Sequence, residues 1–152
     1  MAERNVIPIT TVEQMQLALD LRRAVFSEEQ GIAPNIEVDP YDGDPAVVTG
    51  VRHVLVLQAG VAVATGRIVL SGAKEGEAHV GRVAVSAQHR GRGYGRAVMM
   101  ALHEIARDLG LQEIVLGAEV DALGFYQSLG YVVEGEVYRE IGVDQLDMRL
   151  VL

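Results

Sequence analysis

The sequence contains no cysteine and no tryptophan, and only two of its 152 residues are phenylalanine. Absence of cysteine excludes disulfides, zinc–thiolate sites and thiol nucleophiles together. Cationic side chains are also scarce: 13 Lys and Arg stand against 21 Asp and Glu, a formal charge of -8. A nucleic-acid partner needs clustered Lys and Arg to displace counterions from phosphates, so none is expected, although a local anion site stays open. No apolar run approaches the roughly 20 residues of a membrane span. The opening residues, MAERNVIPIT, carry charges where a signal peptide has an apolar block. The expectation is a cytoplasmic protein without a membrane partner.

What is present is enough apolar material for a core: 49% of the residues are hydrophobic. There are no repeats and no composition break, so residues 1–152 are expected to form a single domain. Asn5–Ile9 reads as a strand. Thr10 and Thr11 precede Glu13 and Gln14 at capping-box spacing, and Val12, Met15, Leu19 and Phe26 follow at helical spacing, which predicts a helix to about Phe26. Three of the four prolines fall in APNIEVDPYDGDPAVVTG (33–50), read as a long ordered loop. HVLVLQ (53–58) and VAVATGRIVL (61–70) flank Ala59-Gly60, a hairpin signal. AHVGRVAVS (78–86) is the next strand. A helix marked by Val98, Leu102, Ile105 and Leu109 ends at Gly110. EIVLGAEV (113–120) is a strand, and DALGFYQSLG (121–130) a short helix with Asp121 as N-cap and Gly130 as C-cap. YVVEGEVYRE and VDQLDMRLVL close the chain as a hairpin across Ile141-Gly142. The fold class is therefore α/β, a mixed sheet with helices on both faces.

Between a strand and a helix lies QHRGRGYGRA (88–97). A glycine-rich loop there suits a phosphate: bare amides approach the anion, the helix N-terminus adds partial positive charge, and Arg90, Arg92 and Arg96 add full charges. The P-loop pattern fails, because no Lys-Ser or Lys-Thr follows. The dinucleotide pattern G-x-G-x-x-G fails too, since its third glycine would fall on Arg96 or Val98. The pattern that fits is R-x-x-G-x-G, at Arg90, Gly93 and Gly95.

With that loop, VAVSAQHRGRGYGRAVMMAL resembles the central strand, pyrophosphate loop and following helix of the GCN5-related N-acetyltransferases (GNAT). About 30 residues on, DALGFYQSLGY resembles that family's last short helix, with Phe125, Tyr126, Gly130 and Tyr131 in pattern. The resemblance spans nearly the whole chain. It implies the GNAT acyl-CoA N-acyltransferase fold, with a mostly antiparallel sheet of about 6–7 strands and about four helices. It also implies an acyl-CoA co-substrate, most often acetyl-CoA, and no metal. The pantetheine arm would lie along the backbone of Val83, Ala84 and Val85. The pyrophosphate would lie on the loop Arg90, Gly91, Arg92, Gly93, Tyr94, Gly95 and Arg96, with Phe125 beside it. Arg90 and Arg96 are the expected salt-bridge donors, and a backbone amide around Val85 the expected oxyanion donor.

Acetyl transfer to an amine needs a base for the ammonium and an acid for the departing thiolate. Tyr126 matches the family's acidic tyrosine. Many members place a carboxylate four residues before the first pantetheine-binding position. Here that position is His79, whose ordinary pKa near neutrality suits a base. In a regular strand His79, Gly81 and Val83 share one face. Glu77 has the same parity, and a water chain is the third alternative.

A narrower resemblance, to the ElaA-type branch of the family, rests on LRRAVFSEEQGIAPNIEVDPYDGD, on GRVAV with Arg82, and on GAEVDALGFYQSLGY. It points to Glu29, Gln30, Glu37 and Asp39 as substrate-binding, with Asp42 and Asp44 adding negative charge that would draw an amine. Arg23 is an alternative, internal partner for the Glu29–Gln30 pair. Two positions depart from pattern. Gln145 replaces a histidine typical of the branch. Glu119 replaces an asparagine common seven residues before the tyrosine, and a carboxylate beside pantetheine is unfavourable unless paired, so Glu119 is expected to point elsewhere.

The function expected is transfer of acetyl from acetyl-CoA to a small primary amine by direct attack in a ternary complex. A homodimer fits family habit. A non-catalytic acyl-CoA sensor is the alternative; an acyl-homoserine-lactone synthase, for which a longer chain and tryptophan would be expected, is the weaker one.

Overall fold

The computed structural model describes residues 4–72 and 74–152. Among the described residues, seven strands form one sheet in the order β1-β2-β3-β4-β5-β7-β6. They are β1 (Arg4–Pro8), β2 (Val51–Gln58), β3 (Val61–Val69), β4 (Glu77–Val85), β5 (Glu113–Glu119), β6 (Val132–Glu140) and β7 (Val143–Val151). Only β4 and β5 run parallel; the other neighbours are antiparallel. The helices are α1 (Val12–Arg22), α2 (Pro34–Glu37), α3 (Tyr94–Asp108) and α4 (Leu123–Ser128).

The capping box forms at Thr11. Its hydroxyl accepts from the Gln14 amide at 3.1 Å, and the Gln14 side chain accepts from the Thr11 amide at 3.2 Å. The helical run is longer than its spacing predicts and changes pitch: α1 ends at Arg22 and a π-helical turn carries on over Arg23–Glu29. Both two-residue hairpins form where expected. Ala59 (φ 50) and Gly60 (φ 80), like Ile141 (φ 51) and Gly142 (φ 73), occupy the left-handed region that such turns require. Two expectations change. The segment 33–50 is not loop throughout but holds α2 and a 3-10 turn at Pro40–Asp42. Asp121 is not an N-cap; it lies inside a 3-10 turn, Val120–Ala122, and Ala122 precedes α4 without a side-chain cap.

Alternation along β2 separates two cores. Val54 and Val56 face α3, where Val98, Met99, Leu102 and Ala106 pack with Ile68, Ala78, Val80, Ile114, Leu116 and Met148. Leu55 faces α1, with Ile9, Met15 and Ala18.

Two irregularities in β4 shape the site. Thr65 faces Ala84 while Arg67 faces Gly81, so β4 carries one extra residue against β3. Arg82 takes up that excess at φ 53, a costly conformation for a side-chain-bearing residue. The parallel pairing with β5 stops at His79–Val115, whereas β5 stays paired to β7 as far as Glu119–Gln145. From Val80 onward β4 and β5 are no longer paired to each other.

Candidate active site

The gap between β4 and β5 opens into a cavity of about 800 Å³, bounded by the glycine loop, α4, the π-helical turn and the β6–β7 hairpin tip. Val83, Ala84 and Val85 line it from β4, and Arg90, Gly91, Gly93, Tyr94, Gly95 and Arg96 from the loop. Gly91 (φ 74) and Gly93 (φ 85) hold left-handed conformations, and Gly93 is the N-cap of the 15-residue α3. A Cβ on Gly95 would come within 3.4 Å of the Phe125 ring, so the third glycine gives close packing instead of an unusual turn.

The three loop arginines part company. Arg96 lines the cavity and is exposed. Arg90 also lines it, but both terminal nitrogens donate to Glu29 at 2.8 Å while Nε donates to the Val85 carbonyl at 3.1 Å. Arg92 does not line it; its carbonyl accepts from Arg4 at 3.3 Å. Tyr94 is a buried anchor, donating to Gln58 at 2.8 Å with the Arg4 guanidinium over its ring.

On α4, Phe125 and Tyr126 both line the cavity, with ring centroids 5.0 Å apart edge to face. Burial, reinforced by the charge of Glu119, pushes the Tyr126 phenol up to about 12, so it is a protonated donor throughout the neutral range. Behind it the Tyr131 hydroxyl lies 2.7 Å from His103 Nε2, inside the core.

His79 is exposed and lies outside the cavity lining. The physical reason is the extra residue at Arg82. Ala78 and Val80 share the α3 face with Val83 and Val85, so His79 and Val83 address opposite faces. Glu77 also stands outside the lining, 2.7 Å from Arg149, which bonds Glu113 and Glu134 as well.

The acidic segment differs from a set of free carboxylates. Arg22, 1% exposed, donates Nε to Glu37 and forks onto both oxygens of Asp42 at 2.7 and 2.9 Å. Arg67 reaches Asp39 at 2.6 Å and Asp42 at 3.0 Å. Arg82 donates to the Glu37 carbonyl at 2.9 Å. Three arginines thus balance three carboxylates. Burial acts to raise the Asp42 pKa, but hydrogen bonds from Arg22 and the Asp39 amide outweigh it and hold it at about 2. Of the four residues expected to bind substrate, Gln30 and Glu37 line the cavity, the latter turned onto Arg22; Glu29 and Asp39 do not. Arg23 pairs with Asp20 at 3.5 Å, not with Glu29.

Several lining residues gave no separate signal in the sequence: Phe26, Ile32, Ile36, Leu116 and Ile141 as apolar walls, with Glu140 at the hairpin tip. Gln145 and Glu119, noticed only as departures from pattern, both line the cavity, so Glu119 does not point elsewhere.

A family model described as "Acetyltransferase (GNAT) family" matches residues 15–131. The YyaT protein of Bacillus subtilis (strain 168) is 32% identical over 144 residues, covering 95% of this chain and 93% of that one. The ElaA protein of Escherichia coli (strain K12) is 34% identical over 139 residues, covering 91% and 88%. The crystal structure of Escherichia coli ElaA superposes with a TM-score of 0.83 at 31% identity, over 98% of this chain and 99% of that one. An acyl-CoA N-acyltransferase from Pseudomonas aeruginosa superposes with a TM-score of 0.81 at 27% identity, over 98% and 99%.

Proposed function

The chain belongs to the acetyltransferase (GNAT) family, in its ElaA-type branch, and on that premise we propose that it moves the acetyl group of acetyl-CoA directly onto a primary amine of a small acceptor within a ternary complex. An acyl-CoA co-substrate and an acyltransferase activity come with the family; the acetyl group, the acceptor and the residue roles are the proposal.

The observation that carries it is the convergence on one cavity of a bare-amide loop at a helix N-terminus, a stretch of β4 that is paired to β3 but no longer to β5, and a protonated tyrosine. The residues fit the co-substrate. Two left-handed glycines leave the amides of residues 91–96 unobstructed, and the α3 N-terminus and the exposed Arg96 favour a diphosphate. Backbone groups of Val83–Val85, past the last β4–β5 pair, can bond an extended arm as an added strand would. Acetyl-CoA supplies an activated thioester. Tyr126 keeps its proton near neutrality and donates it towards the sulfur as charge develops there. Phe125 packs behind Gly95 and sets the width of the passage.

The test is free-thiol release from acetyl-CoA across a panel of primary amines. Amine-dependent release with formation of the acetylated amine is the expected result. Tight CoA binding with no turnover on any amine would replace this reading with a non-catalytic sensor.

A further inference from the structure

We propose that Glu119 receives the acceptor's ammonium group and takes its proton, and that the acceptor is a primary amine borne on an apolar body. This rests on the acetyl-transfer reading above and deepens it.

Glu119 is the last residue of β5, paired with Gln145 across the ladder, just beyond the point where β4 has left β5. Leu116 and Ala118 belong to the α3-side core, so alternation turns Gly117 and Glu119 to the opposite face. That face has been cleared for polar groups: a Cβ at Gly117 would meet Tyr138 Oη at 2.8 Å and Gln145 Oε1 at 3.3 Å. Glu119 lines the cavity together with Tyr126, the proposed acid.

The other acidic candidates are paired or, for Glu140, stand at the exposed rim of the same cavity. Glu37 is committed to Arg22, Glu29 to Arg90 and Glu77 to Arg149. Glu140 lies at the exposed hairpin tip. Among the described residues, Glu119 has no cation within ion-pair distance. A half-buried carboxylate without a counterion is stabilised by any cation that enters, and an amine acceptor arrives as one. Phe26, Ile32, Ile36 and Ile141 offer the same cavity apolar surface for the rest of that molecule.

The proton count closes. The ammonium gives one proton to Glu119, and the freed lone pair forms the C–N bond to the acetyl carbon. As the C–S bond breaks, sulfur takes the Tyr126 proton, and the phenolate recovers one from the new C–N nitrogen. Glu119 returns its proton to water. The sum is amide, free thiol and one proton released.

The experiment uses the intact protein, acetyl-CoA, and phenethylamine as probe, with ethanolamine as the polar counterpart. For E119Q, kcat/KM with phenethylamine should fall at least a hundredfold while CoA affinity by calorimetry stays within twofold, which shows the fold intact. N,N,N-Trimethylphenethylammonium, a permanent cation that cannot react, should bind the wild type at least tenfold more tightly than E119Q. Phenethylamine should exceed ethanolamine in kcat/KM by at least tenfold. E119Q within threefold of wild type overturns the assignment, as does a hundredfold loss in H79Q alone. Ethanolamine as the better substrate overturns the apolar body. Wild-type protein that acetylates no amine brings down the transferase reading itself, a different and separable failure.

Discussion

The Glu29 carboxylate and the Arg90 guanidinium meet through two N–H···O bonds of 2.8 Å each, joining segments 61 residues apart. One end belongs to the π-helical turn beside the acceptor wall, the other to the proposed pyrophosphate loop. Both side chains are partly exposed to solvent, so the pair adds little to stability, about 0–1 kcal/mol. Its effect is on charge: it neutralises Arg90 and sets an anion near an anionic ligand. E29Q is therefore expected to tighten CoA binding about 3- to 10-fold by calorimetry, with melting temperature nearly unchanged. Weaker binding would mean that Glu29 chiefly positions Arg90.

Replacing Tyr126 by Phe keeps the ring packing against Phe125 and Tyr131 and removes only the acidic proton. Turnover should fall about 10- to 1000-fold, with CoA affinity preserved. An unchanged kcat in the thiol-release assay removes the acid role.

Removing one partner of the buried cluster around Arg22 leaves an uncompensated charge, which costs about 3–5 kcal/mol. D42N should lower the unfolding free energy obtained from denaturant titration by that amount at pH 7. The cluster also sets the acid limb. Asp42 is depressed in the folded state to about 2, so its stabilisation is full above the ordinary carboxylate range and is lost as pH falls from about 4 towards 2. In D42N that part of the acid loss should vanish.

His103 governs a higher window. Burial chiefly, with Arg107 adding, lowers it to about 4. The unfolded chain takes up a proton below about 6.5 while the folded one does not, so stability falls between about pH 6.5 and 4. Burial lowers His53 in the same direction, with its Nε2 2.9 Å from the Tyr41 carbonyl. Denaturation across this range should show a shallower slope in H103Q than in the wild type. Equal slopes would remove His103 from the account.

Gly91 has open space where a Cβ would stand but sits at φ 74. G91A should therefore cost about 1–2 kcal/mol from backbone conformation alone. A fall in CoA affinity beyond twofold would add that the loop must keep this shape to bind.

Much of this was legible in the residues. Hairpin turns, the capping box at Thr11 and the glycine loop are local devices, and local chemistry is written consecutively. The partners of the acidic segment were not legible, because Arg22, Arg67 and Arg82 come from a helix and two strands that only the folded sheet brings together. The change to a π-helical turn at Arg23 has no signal that we can identify in the residues. Glu119 stood out as a misfit, and the missing information was which way its strand end faced.

The extra residue at Arg82 reverses which residue numbers of this strand face the helix. Ahead of it, even-numbered side chains face α3; behind it, odd-numbered ones do. Deleting a single residue there would relieve the unfavourable backbone angle and leave Val80 and Val83 two positions apart, so that Val83 and Val85 would keep the α3 face in plain alternation while the bend at Arg82 disappeared. A homologue one residue shorter at this point would therefore present the same side chains to α3, and what it would lose is the local bend and the Arg82 donation to the Glu37 carbonyl that ties β4 to the acidic segment.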